Sequence, residues 1–142
     1  MKITVHNSQK DLTISKGSVR ALVLEALSFF KIPYEEVSIY LVSEKQIAKL
    51  HDQFFQDPTS TDCISFPLDE KHLGEVFVCP KVAIVYATER GIDPYTETAL
   101  YIIHALLHLI GYDDLEKNAK RLMRKKEKSC MHHLERLNIH LK

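Results

Sequence analysis

The sequence carries no mark of export and none of a bilayer. Its first residues, MKITVHNSQKDL, lack the apolar core of a signal peptide, and no run approaches the roughly 18 apolar residues that suggest a membrane span. A cytoplasmic protein with no membrane partner is expected. Cysteine is scarce: Cys63, Cys79 and Cys130 are odd in number and far apart, with no C-x-x-C pair. Neither a disulfide framework nor a thiolate zinc site is indicated, and three reduced thiols are expected. An excess of one charge is also missing, since 19 Lys and Arg balance 19 Asp and Glu. Any nucleic-acid surface must therefore be a local patch. Repeats, low-complexity tracts and linkers are absent, and the few glycines and prolines sit singly at apparent element boundaries. With 142 residues, 45% of them hydrophobic, the chain is long enough for one domain with a real core, spanning 1–142, and too short for two comfortable ones.

What is present reads as an ordered series of elements. KITVH alternates apolar and polar residues of β-branched type, and VSIYLV at 37–42 does the same, so both suit strands. Between them Val19, Leu22, Val23, Ala26, Leu27 and Phe30 recur at three- and four-residue steps, one apolar helical face, with Pro33 just past its end. Ser43 and Gln46 offer a capping box for a second helix through about Phe55. DCISF and EVFVC are β-prone runs separated by the polar PLDEKHLG, which allows a hairpin or neighbouring strands. Pro80 suits the first turn of a helix ending near Gly91, and Asp93-Pro94 starts another. From Leu115 onward, Ala119, Leu122, Met123, Cys130, Leu134, Leu137 and Leu141 form a loose stripe that predicts a long closing helix. Cys79, Phe66 and Phe77 read as core. The fold class is α+β with a small mixed sheet, because the alternation of strand and helix stops halfway.

The chemistry concentrates in HALLHLIGYDD, residues 104–114. The helix ALYIIHALLHLI is apolar on every side and is expected to be buried. His104 and His108, four residues apart, project from one face about 6 Å apart along the axis and can share one ion. Gly111 can take a left-handed conformation and stop the helix, so that Asp113 or Asp114 can swing back toward the imidazoles. Two histidines and a carboxylate leave an open coordination position, the catalytic arrangement for zinc. A pair of hydrogen-bonded core histidines is the simpler alternative, but two at ligand spacing, followed by a helix-stopping glycine and two carboxylates, favour a metal. Imidazole suits zinc better than magnesium, and other divalent transition metals fit the same donors. The spacing H-x-x-x-H-x-x-G-x-x-D matches a long zinc-peptidase signature except at one position, and its third-ligand spacing selects Asp114. Ala105 stands where a peptidase needs a glutamate base, which sets peptide hydrolysis second.

Three blocks in order resemble the YbeY family, bacterial single-strand endoribonucleases tied to ribosomal RNA maturation and ribosome quality control. HALLHLIGYDD is similar to the signature H-G-x-x-H-L-x-G-Y-D-H, STDCISFP at 60–67 to T-D-V-L-S-F-P, and LGEVFVCP at 73–80 to L-G-D-I-V-I-C-P. The resemblance implies a four-stranded mixed sheet packed with about five helices and a single zinc ion in a cleft, at the end of a buried helix. It also implies hydrolysis of phosphodiester bonds in single-stranded RNA, with ribosomal RNA precursors and the ribosome or its proteins as partners. His104, His108 and Asp114 would hold the ion, Asp114 falling on the family's third histidine. The sequence departs from the pattern at LHDQFF, residues 50–55, where His51 replaces an asparagine and Phe55 an arginine proposed to hold the scissile phosphate. Phenylalanine cannot stabilise a negatively charged transition state. His51 is a candidate general acid or base. KNAKRLMRKKEK at 117–128, with seven Lys or Arg against one Glu, is a candidate substitute source of cations, or a solvated helix face. A non-catalytic ribosome-associated factor with a structural metal is the reading that Phe55 favours.

Overall fold

The computed structural model describes residues 2–69 and 71–142. Strand β1 (Lys2–Asn7) runs parallel to β2 (Glu36–Leu41), with Ile3 opposite Val37 and Val5 opposite Ile39. A parallel pair needs a crossover, and helix α1 (Lys16–Phe29) supplies it. Its cap Ser15 accepts from the Ser18 amide, and it buries Val19, Leu22, Val23, Ala26 and Leu27, while Phe30 is only half-buried at the C-cap. Helix α2 (Glu44–Phe55) opens on the expected capping box between Ser43 and Gln46 and closes on Gln56 in the left-handed conformation. Strands β3 (Cys63–Pro67) and β4 (His72–Val78) pair antiparallel as a hairpin. Strand β4 then lies parallel to β2, so the sheet order is β1-β2-β4-β3. Three helices follow: α3 (Pro80–Arg90), which ends at left-handed Gly91, α4 (Pro94–Leu109) and α5 (Lys117–Arg136). The molecule is thus α+β, a four-stranded mixed sheet with five helices.

Helix α4 lies inside this arrangement, with Ile102, Ile103, Ala105, Leu106 and Leu107 fully buried beside Val37, Ile39, Val76 and Val78 of the sheet. Its C-terminal half is pinned twice. Ser65 on β3 donates its hydroxyl to the Ala105 carbonyl at 2.8 Å. Gly74 on β4 allows close approach: a Cβ there would stand 2.6 Å from the Leu109 side chain and 2.6 Å from the Phe66 carbonyl oxygen. Alternate sheet residues face α2, where Val42, Ile47, Ile64 and Cys79 make a smaller core.

Two expectations need correction. Phe66 and Phe77 are half-buried rather than core, packed over the smaller cluster with Phe77 stacked on Tyr40 and Phe66 edge-on to Phe54 and Phe77. The apolar stripe of α5 is narrower than its leucines suggested. Met123, Cys130 and Leu134 are buried, as is Leu141 beyond the helix, but Leu122 is 46% and Leu137 49% exposed. Leu122 sits about 100° around the helix from Met123 and points away from the core. Leu115, before the helix, is 90% exposed. The three cysteines are free, and among the described residues no helix is long and apolar enough to cross a membrane.

Candidate metal centre

His104 and His108 project from adjacent turns of α4 with their rings 4.5 Å apart and nearly perpendicular, and their Nε2 atoms are 3.0 Å apart. The helix ends as the sequence requires. Ile110 caps it, Gly111 takes φ 99°, and the Tyr112 amide donates back to the Leu107 carbonyl at 3.1 Å. That reversal carries Asp114 to the histidines, its Oδ2 3.5 Å from His104 Nε2 and 3.8 Å from His108 Nε2. The three donor atoms all lie within 4.8 Å of one another, a group that could hold a metal ion. Asp113 does something else: it is exposed and accepts from the Leu115 amide at 3.1 Å.

The outer nitrogens decide what the inner ones offer. His108 Nδ1 faces the Tyr112 carbonyl at 2.9 Å, and His104 Nδ1 faces the Glu127 carboxylate at 2.5 Å. A carbonyl and a carboxylate only accept, so each Nδ1 carries a proton. In the neutral rings both Nε2 atoms are then bare, and two lone pairs and a carboxylate oxygen converge on one point. Such a cluster is repulsive unless a cation lies among the donors, which is the chemical reason that it fits a metal. Burial opposes charging of His104, but the Glu127 hydrogen bond and charge, with Asp62 and Asp114 behind them, outweigh it and hold the imidazole pKa above its usual value. A proton is therefore the natural competitor of the ion.

Glu127 is the residue that sequence reasoning missed, taken there as the one acid in a basic helix. It stands four residues after Met123 and three before Cys130, both buried, so an acid on the inward stripe of α5 was the available signal. Its side chain is 12% exposed. Partners of this kind fix the tautomer and orientation of a ligating histidine.

The wall of the site comes from α2 and β3. His51 lines the same cleft as His104, His108 and Asp114, together with Phe55, Thr61, Asp62, Cys63 and Ser65. Its Nδ1 donates to the Thr59 carbonyl at 2.9 Å, which in the neutral ring leaves Nε2 free to accept. Asp62 accepts from the Cys63 amide at 2.8 Å, and burial, with Asp62 adding to it, pushes the Cys63 thiol well above its usual pKa, so no thiolate faces the cleft there. Ala105 is fully buried. A second cleft shares Thr61, Asp62, His104 and Asp114 with the first and is also lined by Glu97, Tyr101, Lys120, Arg124 and Glu127. Burial raises the carboxyl of Glu97, which is 7% exposed, against a lowering hydrogen bond from Tyr101.

Known proteins resemble this chain along most of its length. A family model described as Endoribonuclease YbeY matches residues 4–135. The chain is 46% identical over 146 residues to the Endoribonuclease YbeY of Protochlamydia amoebophila, covering 99% of this chain and 97% of that protein. It is 39% identical over 141 residues to the Endoribonuclease YbeY of Chlamydia felis, covering 92% and 89%. A solution structure of a protein from Thermotoga maritima superposes with a TM-score of 0.67 at 30% identity, over 92% of this chain and 87% of that one.

Proposed function

The chain belongs to the YbeY endoribonuclease family, and from that premise we propose that it is a metal-dependent endoribonuclease that cuts single-stranded RNA in the maturation and quality control of ribosomal RNA. The observation that carries the metal is the convergence of two bare Nε2 atoms and the Asp114 carboxylate, each histidine locked by a partner on its far nitrogen. His104, His108 and Asp114 hold one zinc or similar divalent ion. When bound through three protein ligands, such an ion lowers the pKa of a water and offsets charge building on phosphoryl oxygens. The protein's own work is to direct the proton of each neutral imidazole to Nδ1, through Glu127 and the Tyr112 carbonyl, and to place His51 on the cleft wall as a proton acceptor or donor. Residues 1–142 act as one hydrolase domain working in the cytoplasm on ribosomal precursors.

One observation favours a second reading. Phe55 is 54% exposed in the cleft and brings no charge to a phosphate, as suits a non-catalytic ribosome-associated factor with a structural metal. Peptide hydrolysis is disfavoured, since the buried methyl of Ala105 cannot take a proton. The deciding experiment incubates zinc-loaded protein with one RNA sequence as single strand and as duplex, beside His104→Ala. Cutting of the single strand alone, absent in the variant, is expected. An intact single strand beside a stoichiometric, histidine-dependent metal would give the lead to the ribosome-factor reading.

A further inference from the structure

Two open clefts meet at the metal centre, sharing Thr61, Asp62, His104 and Asp114 as a common wall. One runs on past His51 and Phe55 and the other past Lys120 and Arg124. They differ in chemistry. In the first, Phe55 is 54% exposed; its neighbour Phe54, 51% exposed, lies outside the cleft. Phe54 has a packing role, its ring lying 5.0 Å from that of Phe66. Phe55 lies 5.6 Å from the His51 ring and belongs to neither core cluster. Leaving a phenylalanine ring in water forgoes burial that ordinarily favours folding. In the second cleft, Lys120 and Arg124 stand one helical turn apart on α5, both exposed. Among the described residues neither is within salt-bridge distance of a carboxylate. The four acids of that cleft are otherwise placed: Glu127 and Asp114 lie against the histidines, Asp62 against the Cys63 amide, and Glu97 is buried, 7% exposed. Tyr86, 39% exposed in the second cleft, already carries the Arg90 guanidinium 3.6 Å from its ring centre, so what the two clefts leave to a ligand is the Phe55 ring, two cations and a metal centre between them.

We propose that a single RNA strand crosses the metal centre from one cleft to the other, with an unpaired base stacked on Phe55 and backbone phosphates held by Lys120 and Arg124. This rests on the endoribonuclease reading above and adds which residues grip the substrate. A ring that stacks a base and cations that track the backbone are the two parts of a single-strand site, and base pairing would hide the face that Phe55 needs. An acidic peptide would use the cations but gain nothing from the ring.

The test is fluorescence anisotropy of the chelator-stripped protein, which does not cut on the reading above, with labelled single-stranded oligouridylate and with an abasic strand of equal length, cleavage being read separately on zinc-loaded protein. Phe55→Ala should weaken oligouridylate binding about tenfold and leave the abasic strand unchanged, while Phe55→Trp keeps the affinity. The double variant Lys120→Gln, Arg124→Gln should weaken both strands alike and flatten the dependence of log affinity on log salt by about 1.4. All these side chains are exposed, so unchanged thermal melts show that folding is intact. Equal loss of both strands in Phe55→Ala, an unchanged salt slope in the double variant, or displacement of the RNA by polyglutamate that depends on the same three residues would overturn the proposal. The two readings fail separately. Binding with this signature but no cutting would sink the endoribonuclease and leave the strand path standing; cutting without the signature would sink the path alone.

Discussion

Removing the Glu127 carboxylate should weaken the metal site without touching a ligand. Glu127 reaches from α5 across to His104, and its oxygen lies 2.5 Å from Nδ1, with the side chain 12% exposed. A hydrogen bond of that length to an ionised acceptor is charge-assisted, and such bonds contribute about 1.5–3 kcal/mol. Its loss has two effects. The imidazole can take the other tautomer, with the proton on Nε2 where the ion must bind, and its basicity falls. Because about 1.4 kcal/mol is a factor of ten, Glu127→Ala should lower zinc affinity roughly 10- to 100-fold. Glu127→Gln keeps an acceptor oxygen and loses only the charge, so its loss should be under about tenfold. Competition against a chromophoric chelator at fixed pH measures both. The pH dependence carries its own sign. Protonated His104 competes with the metal, and its raised pKa places that competition above the ordinary histidine range. In wild type, zinc affinity should therefore fall as pH drops through the raised value. In Glu127→Ala the fall should begin at lower pH, since the largest raising influence is gone. Equal affinity in wild type and Glu127→Ala, with superimposable pH profiles, would refute the role given to this residue.

The spacing of the turn after Gly111 makes a choice that can be checked directly. Asp114→Asn should lower metal affinity at least tenfold, and Asp113→Asn, whose carboxylate only caps the Leu115 amide, should leave it within about twofold in the same assay. Gly74→Ala should destabilise the fold by roughly 2–3 kcal/mol, read as a lowered urea midpoint, because its Cβ would meet a backbone oxygen that cannot move aside. An unchanged midpoint would mean that β4 does not brace the end of α4. Glu97 gives a pH-dependent difference. Burial holds its carboxyl above the usual 4.5 in the folded chain, so the folded state binds that proton more tightly than the unfolded one. As pH rises from below 4.5 through the raised folded value, wild type loses stability that Glu97→Gln, which does not titrate, retains. The gap in thermal midpoint between them should open across that window and then level off; a gap independent of pH would contradict the assignment.

Much of this was written locally in the chain. Ser43 and Gln46 mark the start of α2, Pro80 and Gly91 the two ends of α3, and Asp93-Pro94 the start of α4, each through contacts a few residues long, and all four boundaries fall where that chemistry puts them. The two histidines and the stop at Gly111 are of the same kind, since helical periodicity fixes the first and backbone freedom the second. Legibility ended where contacts became distant. That β4 pairs with β2 and not with β1 depends on where the β3–β4 hairpin settles, which no short window records. Phe66 and Phe77 were placed in strands correctly, but alternation cannot say which of the two sheet faces is more deeply covered. Glu127 was missed because its partner lies 23 residues earlier on another helix, and composition disguised it among lysines and arginines. The choice of Asp114 over Asp113 came from spacing, and the geometry of the turn supplies the reason: one carboxylate swings inward and its neighbour caps the next backbone amide.

The central claim is that one ion held by His104, His108 and Asp114 makes this chain a ribonuclease. The most direct measurement returns zinc in increments to chelator-stripped protein and follows cleavage of a single-stranded ribosomal RNA fragment, with bound metal counted at each point. Cleavage should rise in proportion to bound metal and stop rising at about one ion per chain, and it should be absent at every zinc level in His108→Ala. Cleavage that is already complete in the stripped protein, or that survives in His108→Ala, would contradict the account.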